Sequence, residues 1–275
     1  MKRIVSICPS NTEVLASLGL TDRLVGIDDY SDWPNSISHL PRCGPDLHID
    51  IDKVQRLQPD LVLASLSVPG MERNIERLEK ENINTLILNP KSISDILSDI
   101  RTVGQHCGQE RKAEKVVSQI TNQLSTLRAH IPQLTPPPRL YWEWWPKPVF
   151  TPGGGNWLSE VSKLVGAVNI FADQPEENVK STWEEVADRN PDRALIVWTG
   201  VPIERVKKEP ILQRPAWQNT PIAHPERVTI LEEGWYCRPS YRLLTGIQYL
   251  AHLLYPNHIL APDPNHPLTS NIPVT

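Results

Sequence analysis

Residues 52–78, DKVQRLQPDLVLASLSVPGMERNIERL, are echoed at residues 184–212, EEVADRNPDRALIVWTGVPIERVKKEPIL. Each copy predicts a short amphipathic helix, a Pro-Asp turn, a buried strand, a Val-Pro turn and a Glu-Arg pair that opens a second helix. Because a solenoid needs at least three stacked repeats, two copies half a chain apart indicate two similar lobes. Two lobes leave a cleft between them, and clefts between domains are favoured ligand sites.

Composition excludes several classes of protein. The 275 residues carry a net charge of −4 and contain no run of lysine and arginine, so a nucleic-acid partner is not expected. No apolar stretch approaches the roughly 18–20 residues that span a bilayer, so the protein is not expected to be membrane-embedded. Residues 1–7 lack the pattern of a signal peptide, which predicts a cytoplasmic protein, or a periplasmic one if the chain is a processed form.

The first half of the chain alternates between strand and helix patterns. This alternation is typical of βαβ units around a parallel sheet. Ser10 or Asn11 is the expected N-cap of the first helix, over residues 12–18, with Gly19 as its stop signal. The predicted strands are 3–8, 24–27, 61–64 and 85–88, and the other predicted helices are 51–57, 70–81 and 92–106.

Apolar residues keep helical spacing through residues 109–131, over about six turns, and Pro132 ends the pattern. A helix of this length predicts a rigid link between the lobes. The second lobe is expected to contain strands at 139–144, 194–198 and 227–231, and helices near 155–166, 182–189, 203–208 and 238–254. The predicted fold is therefore α/β, with two Rossmann-like lobes of mostly parallel sheet joined by one long helix. The expected divisions are 1–108 (N-terminal lobe), 109–133 (linking helix), 134–256 (C-terminal lobe) and 257–275 (irregular tail).

Several short motifs resemble one known family. Ser6-Ile7-Cys8-Pro9-Ser10-Asn11-Thr12-Glu13 resembles the first strand-to-helix turn of the cobalamin- and siderophore-type substrate-binding proteins of ABC importers, the class III periplasmic-binding-protein-like family. Tyr30-Ser31-Asp32-Trp33-Pro34, Gln58-Pro59-Asp60-Leu61-Val62-Leu63 and Gly234-Trp235-Tyr236 with Arg238-Pro239-Ser240-Tyr241-Arg242 are similar to later family segments, in the same order. The resemblance covers residues 1–256 and implies a binder without catalytic activity or required cofactor. The implied ligand is cobalamin or another corrinoid, with haem or a metal chelate next.

Ligand-binding residues are predicted from strand position. Open parallel sheets bind ligands at the carboxyl ends of their strands. Aromatic rings there offer large rigid apolar area, and their N–H or O–H groups still bond polar atoms, which suits a large, flat ligand. An arginine in the last loop suits a carboxylate or phosphate, although a surface ion pair explains it equally well. The predicted ligand-binding residues are Ser10, Asn11, Tyr30, Trp33, Trp144, Trp145, Trp235, Tyr236 and Arg238.

Other interpretations stay open from sequence. No metal site is predicted, since Cys8, Cys43, Cys107 and Cys237 form no CxxC pair, but Cys8, Cys43 and Cys237 fall on predicted cleft loops as weaker candidates for soft-metal ligands. An intracellular enzyme or chaperone that handles a tetrapyrrole or metal cofactor through such a thiol is the alternative function. Gly153-Gly154-Gly155 before a helix indicates a flexible turn or, less directly, an anion site.

Partner contacts are implied by the family resemblance. In the resembling importers one acidic residue on each lobe contacts the membrane permease. The matching residues here are Glu72 and Glu204, one in each copy of the repeat. The competing explanation is that each carboxylate only stabilises the positive end of a helix.

Overall fold

The computed structural model describes residues 2–267. The chain divides into two compact units, residues 1–120 and 121–275, which are described separately below. Among the described residues, no helix has the length and apolar character required to cross a membrane.

The first unit is built around a parallel sheet of four strands. Its strands lie in the order β2-β1-β3-β4, and every pairing between neighbours is parallel. Buried aliphatic side chains on β1 and β3, including Val5, Val62 and Ala64, form its core with residues of the following helices. The elements are β1 (Ile4–Ser6), α1 (Pro9–Ser17), β2 (Leu24–Ile27), α2 (Ile51–Arg56), β3 (Leu61–Ser65), α3 (Glu72–Lys80), β4 (Thr85–Leu88) and α4 (Ile93–Cys107).

One long helix, α5 (Glu110–His130), follows without interruption. At 1.5 Å per residue its 21 residues extend for about 32 Å. The boundary between the two compact units, after Ile120, falls inside it. The helix predicted over residues 109–131 is therefore present, while the four-part division of the chain stays a prediction.

The second unit has a parallel sheet and a small antiparallel one. The parallel strands lie in the order β8-β5-β10-β11, and the antiparallel strands in the order β6-β7-β9. The elements are β5 (Arg139–Glu143), β6 (Trp145–Pro146), β7 (Val149–Pro152), α6 (Trp157–Leu164), β8 (Val168–Asn169), β9 (Asn178–Ser181), α7 (Trp183–Asp188), β10 (Arg193–Ile196), α8 (Glu209–Leu212), β11 (Val228–Ile230), α9 (Glu233–Tyr236) and α10 (Leu243–Leu254).

The repeat predicted from sequence is present in the structure. The central pair of strands has the same register in both units: Ile4 lies opposite Leu61 in the first, and Leu140 lies opposite Arg193 in the second. With β5 and β10 taking the places of β1 and β3, the four parallel strands follow one order in both units. The helix before the second strand of each pair is capped in the same way, by a side chain that accepts the N–H three residues on, from Asp50 in α2 and Thr182 in α7. Each unit is thus a version of one α/β design.

Three predicted elements differ from the structure. Helix α1 begins at Pro9 rather than at residue 12, because a proline at the first helical position needs no N–H partner and Cys8 takes the cap position. The helix predicted over 203–208 is only a three-residue 3₁₀ turn, Ile203–Arg205. The helix predicted over 238–254 begins only at Leu243, as α10, and the separate short helix α9 (Glu233–Tyr236) precedes the predicted range.

Two regions were not anticipated in full. Strands β6, β7, β8 and β9 were missed, because prolines within β6 and β7 disguise them as loop and β8 is only two residues long. The tail expected over 257–275 contains no helix or strand as far as Pro267, although Ile259 within it is buried. The remainder of that tail, with Pro273, lies outside the described residues.

Candidate ligand-binding site

In the loop that follows β2, the Tyr30 side chain is exposed to solvent. The Asp28 carboxylate lies beneath the loop, and its Oδ1 accepts the N–H groups of Tyr30 at 2.8 Å and Ser31 at 2.9 Å. The Ser31 hydroxyl donates to Oδ2 of the same carboxylate. Tyr30 leaves 52% of its surface exposed while its backbone is held. Trp33, on the same loop, is partly buried.

A chain of hydroxyl groups continues from this loop into the unit. The Thr12 hydroxyl lies 2.9 Å from Ser31 Oγ and donates to Ser6 Oγ at 2.8 Å, which ties α1 and β1 to the loop. Burial is the main cause that raises the pKa of Asp28 to about 6, against the lowering effect of the Ser31 hydrogen bond. The first predicted ligand loop is thus rigid through interior polar contacts.

Ser10 and Asn11 are interior residues of α1. Both are almost fully buried. Asn11 Nδ2 donates to Ala64 O at 2.9 Å, and Ser10 Oγ lies 3.2 Å from Cys8 Sγ. The Asn11 contact joins the first turn of α1 to β3, so this side chain has a structural partner of its own.

The segment after β5, Trp144 and the short strand β6, exposes a tryptophan whose N–H group is already bonded. Trp145 is 42% exposed, and its Nε1–H donates to Lys147 O at 3.1 Å. Trp144 packs against Trp157 with ring centroids 6.3 Å apart. Among the described residues no acceptor lies within reach of the buried Trp144 Nε1. The unit therefore presents the Trp145 ring to solvent, and Trp144 Nε1 is an indole donor without an internal acceptor, as are Trp183 Nε1 and Trp217 Nε1 among the described residues.

The residues predicted near 235–238 separate into two kinds. Tyr236 is fully buried; its hydroxyl donates to Gly246 O at 2.7 Å and its ring lies 5.3 Å from that of Trp142. It therefore occupies a core position rather than a ligand-facing one. Trp235 is partly buried against Tyr249, and Arg238 Nε donates to Glu233 at 3.1 Å.

Within each unit, the predicted residues lie at the carboxyl side of the parallel strands. In the first unit Ser10 and Asn11 come after β1, and Tyr30 and Trp33 after β2. In the second, Trp144 and Trp145 come after β5, and the remaining three after β11. Of these residues, Tyr30 and Trp145 are the most exposed, and hydrogen bonds fix the segments that carry them.

The cysteines are poor candidates for ligands or nucleophiles. Burial raises the pKa of the Cys8 and Cys43 thiols to about 11 and that of Cys237 well above its usual value, so all three are protonated near neutral pH. Among residues 2–267, no three His, Cys, Asp or Glu side chains gather as a metal site would need. The chemistry of these thiols therefore gives no support to an enzyme built on Cys8 or Cys237.

The triple glycine is a closely packed turn rather than a flexible one. A β-carbon on Gly153 would lie 2.1 Å from Glu176 O, and one on Gly154 would lie 2.6 Å from Ala172 O. These glycines are needed for close backbone packing. The Asn156 side chain already accepts the Leu158 N–H at the start of α6, which fills the place of an anion.

Sequence reasoning missed a buried ion pair in the second unit. Glu143, at the end of β5, is fully buried and pairs with the guanidinium of Arg214, which is 4% exposed. Trp198 and Tyr141 also donate to this carboxylate. A glutamate at the end of an otherwise apolar strand was the available signal, but its partner lies 71 residues away.

A family model describing periplasmic binding proteins matches residues 4–233. The chain belongs to the periplasmic binding protein family. Its relatives include YvrC of Bacillus subtilis, an ABC transporter substrate-binding lipoprotein, which is 30% identical over 261 residues, 93% of this chain and 81% of that protein. A vitamin B12-binding protein of Yersinia pestis is 29% identical over 249 residues, 90% of this chain and 85% of that protein.

A solved structure shows the same fold. The periplasmic haem-binding protein RhuT of Roseiflexus superposes with a TM-score of 0.81 and 21% identity, covering 93% of this chain and 98% of that chain. The general function of this periplasmic binding protein is thus capture of a small molecule for an ABC importer.

The acidic residues considered for partner docking differ in their surroundings. Glu72 is exposed at the first position of α3 and accepts the Gly70 N–H at 2.8 Å. Glu204 is exposed on the 3₁₀ turn Ile203–Arg205. The carboxylate of Glu72 is stabilised by the positive end of α3, which is sufficient to explain its position. A single 3₁₀ turn has little dipole, so the same explanation does not apply to Glu204.

Proposed function

We propose that this periplasmic binding protein captures cobalamin, another corrinoid or a related tetrapyrrole or metal chelate. The observation that carries the proposal is the exposed ring of Trp145, whose N–H is bonded within its own loop so that its face is free to stack. Tyr30, on the held loop of the first unit, supplies a second exposed ring. The relative of Yersinia pestis named for vitamin B12 supports the corrinoid over the other ligands.

The ligand contacts include polar groups. We assign the buried donor Trp144 Nε1, together with Trp33, Trp235 and Arg238, to recognition of amide, carboxylate or phosphate groups around the ligand. Ser10, Asn11 and Tyr236 serve as supports beneath the contact residues, since their side chains are buried. No bound cofactor is required for this role.

The partner is an ABC permease, and we propose that Glu72 and Glu204 meet basic residues on it. Work for an importer places the protein on the outer side of the cytoplasmic membrane. We therefore propose a periplasmic location in preference to the cytoplasmic one expected from residues 1–7. Cell fractionation tests this: recovery of the protein only with cytoplasmic markers contradicts it.

A binding titration tests the ligand. Purified protein is titrated with cyanocobalamin, cobinamide, haemin and a ferric chelate, and tryptophan fluorescence is followed together with calorimetry. We expect a dissociation constant that is micromolar or tighter for cyanocobalamin or cobinamide. Absence of heat and of specific quenching with all four compounds rules the proposal out.

A further inference from the structure

The Glu143 carboxylate joins three separate segments of the second unit. Arg214 donates to it through both terminal nitrogens, with Nη2 at 2.7 Å from Oε1. Tyr141 OH donates at 2.8 Å and Trp198 Nε1 at 3.0 Å. Burial and the nearby carboxylate raise the pKa of Tyr141 well above its usual value, so the hydroxyl stays protonated and donates.

The same residue lies where two ligand-side loops begin. Glu143 is followed by Trp144 and by Trp145 at the start of β6, and Trp198 lies in the loop after β10, two residues beyond Ile196. The backbones of the two loops are also paired: Val197 N–H donates to Glu143 O at 2.9 Å, and Thr199 N–H donates to Trp144 O at 3.2 Å. The carboxylate thus ties both loops to one point.

Arg214 is held from its other side by aromatic rings. Its guanidinium carbon lies 4.6 Å from the ring centroid of Trp183 and 4.4 Å from that of Trp217. Cation–π contacts of this kind fix a guanidinium whose fork already fits the carboxylate. The position of Glu143 is therefore determined on every side.

The repeat shows that the fold does not require this ion pair. By the shared register, Ile7 in the first unit takes the place of Glu143, Val5 that of Tyr141 and Leu66 that of Trp198. The first unit builds the same sheet with apolar side chains at all three places. Burying an ion pair also contributes little net stability, since apolar residues of similar volume often replace one without loss.

We propose that Glu143 is a positioning residue that holds the Trp144–Trp145 loop and the Trp198 loop in the arrangement that binds ligand. The inference rests on the proposed function, because these loops matter only if they contact a ligand. Aromatic contacts that are already in place improve affinity, because fewer side chains and loops must be ordered when the ligand binds.

Two variants test the positioning role, with one control. Trp198→Phe keeps a ring and removes one hydrogen bond to the carboxylate. The double variant Glu143→Ile with Arg214→Met replaces the ion pair with apolar side chains, as at Ile7 in the first unit, and removes the acceptor of Tyr141 OH and Trp198 Nε1. Val161→Ala, at a fully buried site of α6, lowers stability without touching the ion pair.

Cyanocobalamin and haemin are the probes. We expect the dissociation constant to rise about tenfold for Trp198→Phe, because one hydrogen bond to a charged group is lost. For the double variant we expect a rise of about tenfold or more. Val161→Ala should bind as the unchanged protein does. A double variant that binds within twofold of the unchanged protein, or a Val161→Ala variant weakened equally, overturns the positioning role.

Hydrogen exchange without ligand separates this inference from the proposed function. The amides of Trp144, Val197 and Thr199 should exchange faster in the double variant and not in Val161→Ala. Unchanged exchange at these amides overturns the positioning role whatever the ligand is. Failure of the unchanged protein to bind either probe, with faster exchange in the double variant, overturns the assigned ligand and leaves the loop positioning supported.

Discussion

Asp60 and Arg3 are joined by two reciprocal hydrogen bonds. Asp60 Oδ2 accepts the backbone N–H of Arg3 at 2.7 Å, and the Asp60 N–H donates to Arg3 O at 2.8 Å. The Arg3 guanidinium reaches back to Leu57 O at 2.7 Å, at the end of α2. One aspartate and one arginine therefore fasten the turn before β3 to the start of β1.

The second unit repeats this arrangement of an aspartate hydrogen-bonded to an arginine, called the Asp-Arg clasp below: Asp60 with Arg3 in the first unit and Asp192 with Arg139 in the second. Asp192 Oδ2 accepts the Arg139 N–H at 2.7 Å, the Asp192 N–H donates to Arg139 O at 2.8 Å, and the guanidinium donates to Arg189 O at 2.7 Å. The residue before each Pro-Asp turn also has a positive φ, 49° at Gln58 and 46° at Asn190. The two units therefore agree in this contact down to the hydrogen-bond lengths and the backbone conformation of the turn.

The clasps predict local effects on stability. Replacing Asp60 or Asp192 with alanine removes the acceptor of a backbone N–H, which should lower the free energy of unfolding by about 1 kcal/mol. Hydrogen exchange should quicken at Arg3 in Asp60→Ala and at Arg139 in Asp192→Ala. Glu79→Ala, exposed on α3, is the control and should change neither. Equal loosening of both clasps by one variant contradicts the assignment.

The sequence was sufficient for seven of the eight strands described in the parallel sheets, and the two-residue strand β8 was not predicted. The bounds of β2 and β4 match the predicted 24–27 and 85–88, because apolar runs between turn residues leave little freedom in where a strand ends. The repeat was visible because the Pro-Asp turns are part of the clasps. The apolar runs and the Pro-Asp turns are local patterns, although the partners of the two aspartates, Arg3 and Arg139, lie 57 and 53 residues away.

The remaining features depend on distant partners. The antiparallel strands β7 and β9 pair Val149 with Ser181, and no local pattern shows that pairing. The interior position of Tyr236, on helix α9, depends on its hydroxyl bond to Gly246 and on the ring of Trp142 on β5. Sequence reasoning placed the aromatic residues on the correct side of each sheet and did not separate exposed rings from buried ones.

Trp145 is predicted to contribute to binding and hardly at all to folding. Because 42% of its surface is exposed, Trp145→Ala should change the free energy of unfolding by no more than about 0.5 kcal/mol. Loss of a stacked ring should weaken cyanocobalamin binding about tenfold or more, measured by calorimetry. Leu134→Ala, at a side chain 49% exposed outside the strand-end loops, is the matched control and should bind normally. Equal affinities for all three proteins would remove Trp145 from the site.

Glu72 and Glu204 are predicted to affect transport without affecting ligand capture. Their substitution by arginine reverses a charge that should face basic residues of the permease. We expect each single variant to lower uptake of labelled cobalamin several-fold in cells that carry the importer, and the double variant to lower it further. The dissociation constant for ligand should stay unchanged. Glu79→Arg tests for a general effect of surface charge, and full uptake by the double variant contradicts the docking role.

Asp99 on α4 predicts how stability depends on pH. Burial, and secondarily the charge of Asp95, raises the pKa of Asp99 to about 7, from 3.8 in an unperturbed aspartate, and its Oδ2 is buried without a hydrogen-bond partner among the described residues. Between pH 4 and 7 the folded protein therefore holds a proton at this site that the unfolded chain has released. Stability from this group is fully present below about pH 4 and is lost as the pH rises through about 7. Asp28, with a pKa raised to about 6, acts in the same direction over a narrower range.

Asp99→Asn removes this titration. The urea midpoint of the unchanged protein should fall between about pH 4.5 and about pH 7.5, and the fall should be smaller in Asp99→Asn. Asp52→Asn, exposed on α2, should leave the fall unchanged, and an equally steep fall in Asp99→Asn would show that other groups cause it.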